Sequence, residues 1–180
     1  MSKGLKDGKM LLLAGSSAGA GGVLVNLDKI ADMLRGLGSK IEVRGIIDSG
    51  WFLDNEPFSF KKSLPAKNLP LADQDLHPTP PSSCTDTFNC SPIESIKQGM
   101  SLWNGQVPRK CQELYVSEPW RCYFGYRLYP MLQAPLFVFQ WIFDEAQMMA
   151  DNVGAPVTRA QWEYIKNMGA HLRQTLANVT

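Results

Sequence analysis

Histidine is scarce in this chain. Only His77 and His171 occur among 180 residues. Neither stands in a ligand pattern with the four cysteines, and no Cys-x-x-Cys occurs, so a structural zinc site is not a reading the sequence supports. An excess of either charge is also missing: 18 Lys and Arg stand against 17 Asp and Glu. That balance argues against a nucleic-acid binder and against a polybasic membrane anchor. Long apolar runs are absent too. The longest, "APLFVFQWIF" (Ala134 to Phe143), is too short to cross a bilayer and reads as a buried strand. No internal repeat is visible, and the length suits one domain or a large part of one.

What is present begins at "GKMLLLAGSSAGAGGVLVN", Gly8 to Asn26. A secretory leader needs a continuous apolar stretch of about 7–15 residues. Here the stretch breaks early at Gly15, behind Asp7. A Walker phosphate loop needs a closing Gly-Lys-Ser/Thr, which is missing. A dinucleotide fingerprint fits only loosely. Gly15-Ser16-Ser17-Ala18-Gly19 is Gly-x-Ser-x-Gly, set between a predicted strand (Met10 to Ala14) and a predicted helix. That context makes it a nucleophile elbow. Small neighbours let the backbone reverse direction, Ser17 is lifted above the sheet, and the N–H of Ala18 is a natural oxyanion donor. The bland alternative is a Gly/Ser-rich strand-to-helix turn without chemistry.

The helix is read from Leu24, Leu27, Ile30, Ala31 and Leu34, which recur at helical spacing before "GLGSK" stops them. "IEVRGII" (Ile41 to Ile47) is the next strand. Strand, helix and strand at this length make a β-α-β unit, so the sheet is expected to be parallel. Glu56 to Ser83, rich in Pro, Ser, Lys and Asp, reads as a mobile surface insertion. Ser91 to Met100 reads as a helix with a capping box, Ser91 with Glu94. Leu136 to Trp141 is a strand with Asp144 just past its end, where hydrolases of this kind carry the triad acid. The alternative for Asp144 is a helix N-cap. Thr158 to Leu176 reads as an amphipathic helix burying Trp162, Ile165, Met168 or Gly169, Leu172 and Leu176. His171 falls off that face and is expected in solvent.

The cysteines form two local pairs, Cys84 with Cys90 and Cys111 with Cys122. Two short-loop disulfides are expected, hence an oxidising compartment. Four reduced cysteines in a cytosolic core are the alternative. Two glycosylation sequons, at Asn89 and Asn178, agree with secretion.

"LLLAGSSAGAGGVLVNLDKIADML", "VRGIIDSGWFLDN", "SPIESIKQGMSLWNG", "WRCYFGYRLYP" and "FVFQWIFDEAQMMADNV" together resemble the pectin acetylesterase/Notum family. The likeness covers almost the whole chain outside the Glu56 to Ser83 insertion. It implies an α/β-hydrolase-like fold: a mostly parallel sheet with flanking helices, incomplete at both ends. It implies a secreted serine carboxylesterase, without cofactor or metal, that removes palmitoleate from lipidated Wnt-type proteins. A cell-surface glycosaminoglycan is a further partner it allows. Carried over by residue, Ser17 resembles the nucleophile, Asp144 the acid and Ala18 an oxyanion donor. Phe52, Pro92, Ile96, Tyr123, Phe124, Ala146 and Ala150 fall where the family lines its acyl pocket. Ordinary core packing is the alternative for each. The chain departs from the family at Ala20, Gly21 and Tyr123, where Gly, Thr and Phe are usual. The resemblance places the catalytic histidine beyond Thr180 and a second oxyanion segment ahead of Met1. The chain is therefore expected to be a central piece, inactive alone. Two rival readings are a carbohydrate O-acetylesterase of the same fold and a non-catalytic acyl-binding remnant.

Overall fold

The computed structural model describes residues 8–59 and 90–179. Three parallel strands form its sheet among these residues: β1 (Met10–Ser16), β2 (Glu42–Asp48) and β3 (Leu136–Phe139), in that order. Helix α1 (Ala18–Gly36) connects β1 to β2, as the β-α-β reading required. β1 runs two residues past the expected Ala14, because Gly15 and Ser16 still pair with Ile47 and Asp48. Gly38 takes φ +73 after α1, a conformation that an L side chain resists, and so ends the helix.

Strand alternation divides the sheet into two unlike faces. Val43, Gly45, Ile47, Leu136 and Val138 face α1, whose Val23, Leu24, Leu27 and Leu34 are buried against them. Gly45 has no room for a side chain: a Cβ would lie 2.7 Å from Leu136 Cδ1 and 3.0 Å from Leu27 Cδ2. On the other face Met10, Leu12, Phe137 and Phe139 are about half exposed or more. A groove of about 810 Å³ runs over that face, lined by Met10, Leu12, Arg44, Ile46, Leu132 and Phe137 among others.

Helix α2 (Pro92–Leu102) starts at Ser91. The Ser91 hydroxyl accepts from the Glu94 N–H, and the Glu94 carboxylate accepts from the Ser91 N–H, so the expected capping box is formed. Helix α3 (Arg109–Leu114), a 3-10 turn (Pro119–Tyr123) and α4 (Gly125–Leu128) follow. Cys111 and Cys122 are disulfide-bonded with their Cα atoms 6.0 Å apart. Cys90 is also disulfide-bonded; its expected partner Cys84 lies outside the described residues.

After β3 come α5 (Glu145–Ala150) and α6 (Arg159–Leu176). Two expectations for α6 need correction. Trp162 is half exposed, and Gln161 is buried in its place with Ile165, Met168, Gly169 and Leu172. The reason is the cap. Gln161 Oε1 accepts from the N–H groups of Val157 and Thr158, and its Nε2 donates to Val153 O at 2.8 Å. The buried stripe therefore begins at Gln161 rather than Trp162, its positions from Ile165 to Leu172 unchanged. His171 does not face solvent either. It is half-buried, with Nδ1 3.1 Å from Asn55 Oδ1 and its ring edge-on to Tyr126. The loop after β2 lies against α6 and reaches this side.

The insertion expected from Glu56 to Ser83 falls mostly outside the described residues. Its first residues are anchored rather than loose. Phe58 N–H donates to Asp151 O at 2.7 Å, Tyr164 Oη donates to Glu56 O at 2.7 Å, and the Phe58 and Tyr164 rings pack edge to face.

Candidate active site

The β1–α1 turn holds Ser17 at φ 53 and ψ −121. A residue with a Cβ avoids this region, and holding one there costs on the order of 1–3 kcal/mol. Neighbouring contacts fix it. Ser17 N–H donates to Asp48 O at 2.9 Å, and Ser17 O accepts from Ala20 N–H at 3.0 Å. Close approach then dictates two glycines. A Cβ on Gly15 would sit 2.2 Å from Gly19 O, and one on Gly50 would sit 2.2 Å from Ala20 Cβ and 2.7 Å from Ser17 O. Gly19 has open space where its Cβ would be, so of the two motif glycines only Gly15 is sterically required. The sequence reading did not single out Gly50. Its signal is the Asp-Ser-Gly directly after a strand. Ala18 opens α1, and its N–H lies in the first turn, where no intrahelical acceptor exists.

The three strand ends are stitched side by side. Ser17 N–H reaches the end of β2 at Asp48 O, and Ser49 N–H reaches the end of β3 at Phe139 O at 2.9 Å. Since all strands are parallel, Ser17 and Asp144 follow the same, C-terminal edge of the sheet. Asp144 is buried. It is also the N-cap of α5, the alternative that the sequence offered for it. Oδ1 accepts from Ala146 N–H at 2.8 Å and Gln147 N–H at 3.3 Å, and Oδ2 accepts from Gln140 Nε2 at 3.0 Å.

Loop 49–55, after β2, is fixed by side chains that the sequence reading missed. Gln140 Oε1 accepts from Trp51 N–H at 2.7 Å. Gln147 Oε1 accepts from Leu53 N–H at 2.8 Å, and its Nε2 donates to Leu53 O at 3.1 Å, so one amide completes a backbone's bonding. Asp54 pairs with Arg127 at 2.6 Å and Arg121 at 3.4 Å and accepts from Tyr126 Oη. Burial and the Asp54 carboxylate both hold the Tyr126 hydroxyl well above the usual phenol range. Asp151 has no exposed surface. Burial pushes its carboxyl up to about 6, against the hydrogen bonds from Gln147, Tyr164 and Asn55 that favour the charged form.

The residues assigned to an acyl pocket lie on several elements. Phe52 is half-buried between the two glutamine-held amides of Trp51 and Leu53. Pro92 and Ile96 are half-buried on α2, which packs against the Pro119–Tyr123 turn. Tyr123 is half-buried, and burial raises its hydroxyl above the ordinary value. Phe124 is fully buried, edge-on to Trp120. Ala146 and Ala150 are exposed on α5. Among the described residues no group of three His, Cys, Asp or Glu could hold a metal ion, and no helix is long and apolar enough to cross a membrane.

Comparison with known proteins gives a consistent picture. The family model described as Pectinacetylesterase matches residues 1–179. The chain is 45% identical to palmitoleoyl-protein carboxylesterase notum1a of Danio rerio, across 99% of this chain and 32% of that protein. It is 44% identical to palmitoleoyl-protein carboxylesterase NOTUM of Homo sapiens, across 99% of this chain and 33% of that one. A crystal structure of the Wnt deacylase Notum from Drosophila superposes with a TM-score of 0.75 at 49% identity, covering 95% of this chain and 42% of that one. The chain thus spans about a third of the length of these curated relatives, and its sheet and flanking helices match the solved α/β-hydrolase structures.

Proposed function

Because the chain belongs to the pectinacetylesterase family, we propose that it carries the nucleophile and acid of a secreted serine carboxylesterase acting on lipidated Wnt-type proteins. The observation that carries this reading is the strained turn at Ser17, set on the same sheet edge as the buried carboxylate of Asp144. The names of the relatives, palmitoleoyl-protein carboxylesterase and Wnt deacylase, supply the substrate class.

In this mechanism Ser17 Oγ attacks the ester carbonyl while a histidine takes its proton. The Ala18 N–H accommodates the developing oxyanion. The protonated base passes its proton to the leaving alcohol of the substrate serine, and water then frees the acid from the acyl-enzyme. Asp144 holds the base in the required tautomer. The base is a histidine outside the described residues, since His171 is engaged by Asn55 and Tyr126. Phe52, Pro92, Ile96, Tyr123, Phe124, Ala146 and Ala150 form the slot for the acyl chain. Each methylene buried there contributes roughly 0.8 kcal/mol. The Cys111–Cys122 disulfide supports an extracellular setting.

The test is ester preference. The full natural polypeptide carrying this sequence should cleave p-nitrophenyl octanoate in preference to acetate. Ser17→Ala should abolish turnover, and His171→Ala should leave it within a few-fold. A preference for acetate would favour a carbohydrate O-acetylesterase, the reading the family's name suggests. Loss of turnover in His171→Ala at unchanged stability would make His171 the base.

A further inference from the structure

We infer that Gln140 is a positioning residue that fixes which oxygen of Asp144 receives the catalytic base. The inference rests on the reading of Asp144 as the triad acid. It starts from an amide whose orientation is not free. A backbone N–H can only donate, so the Gln140 oxygen must be the atom facing Trp51 N–H, 2.7 Å away. The NH2 group is thereby turned toward Asp144 Oδ2, at 3.0 Å. Its other hydrogen-bonding contact is Trp141 O at 3.4 Å.

Both anchors of this amide are themselves held. The Trp51 ring is buried, and its Nε1 donates to Thr175 Oγ1 at 3.0 Å. Gln140 follows Phe139 directly, and Phe139 O accepts from Ser49 N–H at the end of β3. Gln140 is therefore placed by the sheet on one side and by the Trp51 loop on the other.

The consequence lies in the acceptor count on Asp144. An ionised carboxylate has about four acceptor positions, two on each oxygen. Two helix N–H groups occupy Oδ1, and the Gln140 amide occupies one position on Oδ2. Among the described residues no other side chain or N–H takes the remaining position, on Oδ2 beside Gln140. A histidine N–H that meets Asp144 has to dock there. Without Gln140, Oδ2 would have two equivalent open positions, the carboxylate would lose one of its three fixed donors, and the base would lose its unique orientation.

Two substitutions in the full natural polypeptide separate this role from a structural one. Gln140→Leu removes the bonds to Trp51 N–H and to Asp144 along with the longer one to Trp141 O, and should lower kcat about ten- to a hundredfold with KM changed less than about threefold, the size of effect expected when a hydrogen bond to a charged group is lost. Gln140→Glu keeps the acceptor for Trp51 N–H but sets a second carboxyl against Asp144. Two carboxyls this close hold one proton between them, and Asp144 can serve the base fully only once that proton leaves, so the acidic limb of the kcat/KM pH profile should move upward by about one unit. A purely structural residue would change the thermal midpoint without moving that limb. If Gln140→Leu does not fold, the pH profile of Gln140→Glu decides alone. Wild-type kcat and an unmoved limb in these folded variants, with Asp144→Asn inactive, would overturn the role of Gln140. Normal turnover in Asp144→Asn would instead overturn the triad reading on which it rests.

Discussion

Asp151 is a carboxylic acid with no exposed surface, and among the described residues no cation pairs with it. Phe58 N–H donates to its carbonyl, and Gln147 Nε2 donates to both carboxylate oxygens at 3.1 and 3.0 Å. Its ordinary ionisation near 3.8 is moved to about 6 in the fold. Between those values the folded state binds more protons than the unfolded chain, so stability falls as pH rises. The contribution is fully present below about pH 4 and is lost as pH rises through 6. Asp151→Asn keeps an acceptor for Gln147 and has no charge to bury. The variant should therefore gain on the order of 2 kcal/mol at pH 7 relative to wild type, and little at pH 4. Urea denaturation at the two pH values measures this; an equal effect at both would show that burial of charge is not the cause. Ser17 illustrates what a single residue discloses in advance. The elbow was legible because Gly-x-Ser-x-Gly fell between a strand pattern and a helix pattern. Gly50, 33 positions downstream of Ser17, was not, because its constraint is the approach of another segment's backbone.

At the scale of the element, local pattern carried the strands and helices well and their polar buried side chains poorly. β1, α1, β2 and α2 lie within a few residues of their expected bounds, because alternation, helical spacing and a capping box are all short-range signals. Gln140 and Gln147 serve backbone groups about ninety positions away, and no periodicity reports such a debt. In α6 the two kinds of signal competed. The apolar pattern chose Trp162, and the fold buries Gln161 because three backbone groups of the 153–158 connection need it. Gln161→Ala should therefore cost about 2 kcal/mol, through one lost cap and an unsatisfied Val153 carbonyl. Trp162→Ala should cost less than about 1 kcal/mol, since half of the ring already lies in solvent. Thermal or urea unfolding of the two variants checks the order. If the tryptophan substitution is the more damaging, the capping network is not what orients this helix.

For the whole molecule, the sheet is the frame and its C-terminal edge is where the residues proposed as nucleophile and acid lie. Ser17, Ser49 and Asp144 all follow that edge, although they come from three separate stretches of sequence. Parallel strands are as a rule covered on both faces. Here the α1 face is packed, and the other presents Met10, Leu12, Phe137 and Phe139. The strand and helix patterns anticipated the parallel sheet and the turn at Ser17 together, while the long-range supports of the loop after β2 came only with the fold. The central claim is that Ser17 attacks the ester of a lipid-modified protein. Its most direct measurement is mass spectrometry of a Wnt-type peptide carrying palmitoleoyl-serine, after incubation with the full natural polypeptide or its Ser17→Ala form. The account predicts loss of the acyl mass with the first and an intact acyl peptide with the second, together with a transient acyl adduct on Ser17. Deacylation at an equal rate by the Ser17→Ala form, or an adduct on another residue, would contradict it.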